Sequence, residues 1–487
     1  MIYGKSYNCQ KHPWLLKHKA GEAAAQEQTV DIYKDDKEQA RKEINQIMEE
    51  KTSMLATQFG GNETTITNNT IDALTSQERI LLRNAMLKHK DKDYYIKYDY
   101  LFKTEDAIYI FYILYKDLAK AIKDYNTKLT LIPKILYTTD ILKSNFPKHR
   151  IVTKAIYLNV DEFVFGNISE SDFSDNDISK HTPLYAELEG DEPTTVYSRK
   201  CKKCEYRNYC GVPTMSVVDL ETTPNCWRKI DPIVKENKTL ELDSLTEQQL
   251  NSLTDRQLAR YKAAKSKDGV YLDKSIIQSF LDVLNTKGYI SFDFETYSSM
   301  KPFSEKYTNY SQIPFSFSMD IVDTNDSVIK HSDYIIDYKE NSFDELVDIL
   351  VSVMPTDLPI VVYFKTFEIS RLKEMQGLYP QHSEVIQKWI DNIVDLYDVF
   401  SDGGYYDTKF NNSVSLKNVY PVLCNSNQYE NLAINHGDEA ALQYKRVFNS
   451  KQEKDADIIV NSLMDYNRQD TLAQVEIIQI LKEIIKK

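Results

Sequence analysis

Hydrophobic and polar positions change their spacing several times along the chain. From Ala20 to about Met54, apolar residues are set in a background of Glu, Lys and Gln, which predicts a polar amphipathic helix. IKYDYLFKTEDAIYIFYILYK, Ile96 to Lys116, is dominated by Tyr and Ile and broken by polar residues at Thr104–Asp106, predicting two strands and a turn. An acidic stretch, ISESDFSDNDISKHTP, reads as a loop leading to the cysteines near Cys201. From Glu236 to about Asp268, repeated Ser/Thr/Asp cap signals predict a short helical linker rather than a core element. Beyond Tyr271 the order becomes helix (KSIIQSFLDVL), strand (YISFDFET), strand (FSFSMDIV), helix (FDELVDILVSVM) and strand (PIVVYF), and a long amphipathic helix runs to Ile485. The pattern predicts an α/β protein with a first domain at 1–235, a linker at 236–270 and a second domain at 271–487.

With 487 residues, the chain exceeds what one ordinary core organises, which supports the two-domain division. No apolar run approaches the length of a membrane span, and the start MIYGKSYNCQKHPWLLKHKA lacks the apolar stretch of a signal peptide. A cytoplasmic protein without a membrane partner is expected, so the six cysteines read as metal ligands or buried thiols rather than disulfides. Residues 1–240 carry 35 basic and 35 acidic side chains, so the net charge of −13 resides in 241–487. An acidic domain does not draw in phosphate backbones by its overall field, and would handle nucleic acid through metal ions and local basic patches.

Three acidic elements stand out in that second half. Asp293 and Glu295 are two apart on an apolar strand, hence on one face, where like charges repel unless cations neutralise them. Taken alone, such a pair also fits surface carboxylates at a strand end. In PIVVYFKTFEISRL a buried strand turns into a helix with Glu368 near its start, where the helix dipole favours an anion. A simple first-turn charge is the alternative. In MDYNRQDT, opening the last helix, Tyr466 and Asp470 are four apart and share a face; a buried Tyr beside an exposed Asp is the alternative. The order of the three resembles that of the DnaQ-like exonucleases, which implies four converging carboxylates that suit two divalent cations about 4 Å apart, magnesium or manganese given the hard oxygen donors.

YISFDFETYS, YSQIPFSFSMDI, VVYFKTFEISRLKEM, GGYYDTKFNNSVSLKNVYPVL and LMDYNRQDT further resemble a bacterial family known as domain of unknown function 2779, which joins a RecB-type nuclease-like region to a DnaQ-like domain of RNase H fold. The resemblance, covering about 285 to 480, implies that Asp293, Glu295, Glu368 and Asp470 bind metal and that Tyr466 orients water. Two positions depart from the wider DnaQ-like pattern: Phe364 replaces an Asn, and Glu368 stands where Asp is usual. In the GGYYDTKFNNSVSLKNV segment, Lys417 and Ser415 are candidates for phosphate contact. Loop and cap roles are as natural for them as for Tyr405, Tyr406 and Ser413.

In the first half, Cys201, Cys204 and Cys210 form C-x2-C-x5-C, with Cys9 near the start. The set resembles the iron–sulfur clasp of RecB- and AddB-type nucleases, implying a four-iron four-sulfur cluster on these four thiolates, with zinc as the alternative metal and Cys226 as an alternative to Cys9. Cys424 reads as a buried thiol. A PD-(D/E)XK nuclease needs an Asp and then E-x-K on the next strand. Asp99 fits the first, but Tyr112 or Leu114 stands where the Glu belongs, so this half reads as a degenerate, inactive nuclease fold. Lys11, Trp14, Lys17, Lys19, Arg199, Lys200, Lys202, Lys203 and Arg207 flank the cysteines and suit either phosphate contact or a solvated face. The expected activity is 3′–5′ exonuclease hydrolysis of single-stranded DNA or RNA, in repair, turnover or defence. The alternative is a non-catalytic nucleic-acid binder or scaffold built from decayed nuclease folds.

Overall fold

Runs rich in Ile, Leu, Tyr and Phe build both main sheets of the protein, seen here in a computed structural model. It describes every residue except 1–8, 10, 25–30, 59–65, 68–73, 76–79, 91–94, 182–190, 221–226, 285–286, 302–305, 338–342, 451–454 and 487. The chain divides into two units, Met1–Ala23 with Tyr33–Val196 and Ser299–Ser311, and Ala24–Ile32 with Tyr197–Ser298 and Gln312–Lys487. The cysteine segment at 201–210 thus groups with the C-terminal sheet. Both units are α/β, and both sheets are mixed.

In the first unit, the helix expected from Ala20 starts later. A 3₁₀ turn occupies Ala20–Glu22, and α1 spans Lys34–Gln58, with Asp35 and Asp36 complementing its N-terminal dipole. The sheet runs in chain order: β1 (Ile66–Thr67), β2 (Ile80–Lys88), β3 (Tyr95–Lys103), β4 (Ala107–Leu114), β5 (Arg150–Asn159) and β6 (Glu162–Asn167). Strands β2 to β4 form an antiparallel meander. Helix α2 (Tyr125–Asn145) then returns the chain so that β5 lies parallel to β4. The turn at Thr104–Asp106 falls where the sequence predicts it. Alternation divides β4 between two cores. Ile108, Ile110, Tyr112 and Leu114 pack with Leu131, Ile132 and Ile135 of α2, while Tyr109, Phe111 and Ile113 pack beside Ile44 and Met48 of α1.

The second unit begins with the cysteine segment and the helices expected as a linker. α3 (Trp227–Asn237) and α4 (Asp255–Lys265) are joined by short helical turns whose Thr246 and Thr254 close capping boxes, so the cap signals are real. They belong to the core nonetheless: Leu240, Leu242, Leu245 and Leu253 pack against Val217, Leu220, Ile230 and Val234. Asp219 is fully buried at the centre of this region. Arg207 meets it with two bonds of 3.0 and 2.6 Å, the Ser216 amide at 2.9 Å and Asn412 at 3.1 Å. Arg260 adds contacts to the Asp219 and Asn412 carbonyls.

Next come β7 (Val270–Leu272), α5 (Lys274–Leu284), β8 (Tyr289–Ser298), β9 (Gln312–Val322), β10 (Val328–Ile335), α6 (Phe343–Val353), β11 (Ile360–Val362), α7 (Lys365–Leu378), α8 (Ser383–Asp391), β12 (Ile393–Asp395), α9 (Leu396–Ser401) and β13 (Tyr405–Asp407). The last helices are α10 (Leu416–Leu423), α11 (Gly437–Ser450) and α12 (Ala456–Lys486). The main sheet has the order β10-β9-β8-β11-β12. β8, β9 and β10 are antiparallel neighbours, and β11 joins parallel to β8 and to β12. Central β8 is buried on both faces, which explains its nearly continuous apolar run. Gly288 enters it at φ +82°, and a Cβ there would lie 2.2 Å from the Val322 carbonyl, so only glycine fits. Strand β10 is the exposed edge, and its polar VIKHSDYI carries no alternation that marks it in the sequence. α12 begins at Ala456, so the MDYNRQDT segment lies inside the helix rather than opening it. Among the described residues, no helix is long and apolar enough to cross a membrane.

α12 meets the sheet through a buried polar seam. Ser291 donates to the Thr471 carbonyl (2.8 Å), Thr471 donates to Asp320 (2.8 Å), and Gln474 donates to the Phe292 carbonyl (3.2 Å). His331 of β10 closes the seam, with Nδ1 2.8 Å from Asp320 and Nε2 3.2 Å from Asp333. Hydrogen bonding to Asp320, then to Asp333, pushes the imidazole up to about 9. A raised folded-state pKa contributes stability that is complete below about pH 6.5 and lost as pH rises through about 9. His331→Gln should therefore lower the urea-unfolding free energy by roughly 2 kcal/mol at pH 6 and much less at pH 10. An equal loss at both pH values would show that the imidazole serves only packing.

Candidate functional site

Strand β8 delivers Asp293 and Glu295 to one face by simple alternation, the face that also sends Ser291 to α12. The register with β9 shifts between Glu295 and Thr296, a bulge that re-aims the strand at the second carboxylate. Helix α12 presents Tyr466, Asn467 and Asp470 on its buried face. One carboxylate oxygen from each of Asp293, Glu295 and Asp470 lies within 4.8 Å of the others. Glu368 sits in the first turn of α7 and is 2% exposed; its Oε2 has no hydrogen-bond partner among the described residues.

Gathering these acids has an electrostatic consequence. Burial, then the charges of Asp470, Glu295 and Glu368, holds the Asp293 carboxyl well above the usual range. Burial and Asp470 do the same to Glu295. Glu368 is pushed up to about 8, chiefly by burial. Such a group stays anionic near neutrality only with positive charge close by. The donor set is all oxygen and one buried oxygen is unpartnered, which fits hard divalent cations. The structure therefore brings three of the four acids read from the sequence, Asp293, Glu295 and Asp470, within ligand reach of one another, and places Glu368 near enough for its charge to act on Asp293 and Glu295.

Further side chains complete the site. Asn467 donates to Asp293 (2.8 Å) and has its own oxygen held by Ser316 (3.0 Å). The Tyr429 hydroxyl donates to Asp470. Lys417, from the first turn of α10, donates to the Tyr466 hydroxyl and lies 3.8 Å from Asp470. The sequence reading missed both: Asn467, whose one signal is a polar residue on the buried face of α12, and Tyr429, which carries no local signal.

Residues 290–415 match the family Domain of unknown function (DUF2779). The DUF2779 segment holds Asp293, Glu295 and Glu368 and ends before Lys417, Tyr466 and Asp470. Uncharacterized protein MG366 of Mycoplasma genitalium is 26% identical over 288 residues, covering 54% of this chain and 43% of the relative. Its homolog in Mycoplasma pneumoniae is 25% identical over 296 residues, covering 53% and 43%. The chain thus matches less than half the length of either relative. No solved structure matches it.

Within the DUF2779 segment, Phe364 has an unusual backbone. It caps α7 with φ 82° and ψ 64°, a left-handed conformation disfavoured for a bulky residue, and its ring is 49% exposed. Buried Asp395 holds it there by accepting from the Phe364 amide (2.9 Å) and the Lys365 amide (2.8 Å), and the ring meets Tyr397 edge-on. Asn tolerates this conformation, so Phe364→Asn should raise the unfolding free energy by up to about 1 kcal/mol, read as a higher urea midpoint. A lower midpoint would mean that the Tyr397 contact outweighs the strain.

The other candidates take ordinary places. Tyr405 pairs across β7, and Tyr406 is buried under the Arg260 guanidinium. Ser413 accepts from the Ser415 amide, and Ser415 caps α10 and bonds Asn418. Cys201, Cys204 and Cys210 are half-buried, and Cys204 is pushed up to about 11 by burial, with Cys201 and Cys210 adding to the rise. Cys9 is also half-buried and belongs to the first unit; Cys226 lies outside the described residues. Cys424 is half-buried, and burial raises its thiol to about 12. Asp99 faces Arg41 at 3.8 Å, and Tyr112 donates to Thr138 (2.9 Å) inside the core. Leu114 is buried as well. Among the basic residues near the cysteines, Arg207 grips Asp219, and Lys11 pairs with Glu192 and Thr195. Arg207 is therefore a structural residue rather than a phosphate contact.

Proposed function

We propose that the second unit is a divalent-metal-dependent 3′–5′ exonuclease of DnaQ-like, RNase H-fold type, acting on single-stranded DNA or RNA. The observation that carries this reading is the convergence of Asp293, Glu295 and Asp470 near Glu368, whose buried Oε2 has no hydrogen-bond partner among the described residues, on a central strand and two helices. Those four acids would hold two magnesium or manganese ions. Bound there, such ions neutralise charge on a phosphodiester and make water a better nucleophile at neutral pH. Water attacks phosphorus, the bond to the 3′ oxygen breaks, and a nucleoside monophosphate leaves. Tyr466 is suited to orient the water, because Lys417 occupies its hydroxyl oxygen and leaves its proton free to donate. Asn467 fixes the rotamer of Asp293.

The first unit reads as a degenerate PD-(D/E)XK nuclease region that guides the strand. Its antiparallel meander, helix and parallel strand support this, and Tyr112 or Leu114, both buried, would take the place of a catalytic Glu. Cys201, Cys204 and Cys210 would supply three of the thiolates of a four-iron four-sulfur cluster, with zinc as the alternative. Protein purified without oxygen should be brown, and Cys204→Ser should lose the broad visible absorbance; colourless, iron-free protein removes the cluster. The activity is tested on gels with 3′- and 5′-labelled DNA and RNA in Mg²⁺ or Mn²⁺, beside Asp293→Ala. The expected result is stepwise shortening from the 3′ end by the wild type alone. Identical behaviour of both proteins on every substrate would leave a non-catalytic binder.

A further inference from the structure

The chemistry around Lys417 is unusual for a basic residue. Its ammonium donates to the Tyr466 hydroxyl, lies 3.8 Å from Asp470 Oδ2, and stands 4.5 Å above the Tyr466 ring and 5.2 Å above the Tyr429 ring. It therefore sits beside Asp470 at the acid cluster, partly caged by two phenol faces that favour a cation. Its charge opposes the rise of both Asp293 and Glu295. The side chain is 30% exposed, so the cage has an open side. A lysine also has a long, flexible stem that can swing a point charge over several ångströms.

We propose that Lys417 is an internal counter-cation of the carboxylate site, one that neutralises the acids before divalent ions enter, yields to them, and then offers its ammonium to the phosphate of the substrate. The proposal rests on the metal-dependent reading above. Two physical effects follow from one charge, with opposite signs. An ammonium within 4 Å of a ligand oxygen repels an arriving cation, so Lys417 weakens ion binding. The same ammonium attracts an anionic phosphate, so it favours cleavage once ions are bound. A lysine needed only for packing would, when replaced, weaken both.

The test uses the full chain and Mn²⁺ as the probe, with free Mn²⁺ followed by its paramagnetic resonance signal, and Asp293→Ala as the reference for binding at this site. Lys417→Met and Lys417→Gln remove the charge in two different shapes, and Lys417→Arg keeps it. Both neutral variants should bind Mn²⁺ about tenfold more tightly than wild type, yet cleave at least about tenfold more slowly at saturating Mn²⁺. Lys417→Arg should bind Mn²⁺ like wild type. If both neutral variants bind Mn²⁺ no more tightly than wild type, the counter-cation role is overturned while the metal site stands. If wild type shows no Mn²⁺ binding that Asp293→Ala removes, the metal-dependent reading itself fails, and this proposal with it.

Discussion

Asp293→Asn should lower 3′-end cleavage by at least about a thousandfold, roughly 4 kcal/mol of barrier, and yet raise the thermal unfolding midpoint in metal-free buffer. Loss of a metal ligand on the central strand accounts for the first effect. The second follows from the crowding of carboxylates: Asp293 is destabilised as an anion by burial and by Asp470, Glu295 and Glu368. The amide removes one charge from that group and can still accept from Asn467 through its own oxygen. Relief of about 1 kcal/mol or more is expected. Mn²⁺ should then stabilise wild type by mass action and the variant far less. Melting curves with EDTA and with Mn²⁺ read the two stability effects, and the 3′-end gel assay reads the loss of cleavage. An Asp293→Asn protein that melts lower than wild type in EDTA would mean that the acids are not in mutual repulsion.

Asp219→Ala is expected to be the most destabilising single change outside the site, at about 3 kcal/mol or more. Asp219 is fully buried and gathers Arg207, Ser216 and Asn412 from three segments. Its removal leaves the Arg207 guanidinium, only 16% exposed, with carbonyl partners but no counter-charge. For a unit of this size, such a loss lowers the melting temperature by around 10 °C. Asp219→Asn preserves shape and some bonds and should lose less. Calorimetry on both variants measures the difference, and a shift of under about 2 °C for Asp219→Ala would show that the pair contributes little.

Asp293 and Glu295 are legible in the sequence because alternation along a strand needs only neighbouring residues. Tyr466 and Asp470 are legible because a helix sets positions four apart on one face. The partners that tune them are not. Tyr429 reaches Asp470 across 41 positions, Lys417 reaches Tyr466 across 49, and Asn467 reaches Asp293 across 174. No local period connects such pairs. The segment from Glu236 to Asp268 misleads for a related reason: its caps are local, while its buried leucines report a core assembled from Val217 to Leu253.

Secondary structure, and the face on which each acid would lie, were settled by short-range chemistry: side-chain period, caps, a glycine at Gly288 and the polar breaks between apolar runs. Folding alone decided that Asp293, Glu295 and Asp470 would share one small volume, with Glu368 close enough to act on them and Lys417 in attendance. It also decided that Arg207 would be spent on Asp219, and that Asp395 would clamp Phe364 in a left-handed turn. The physical reason is that backbone hydrogen bonding and residue period act over a few positions. Burial, charge clustering and hydrogen bonds between distant segments come into being only when the chain closes on itself.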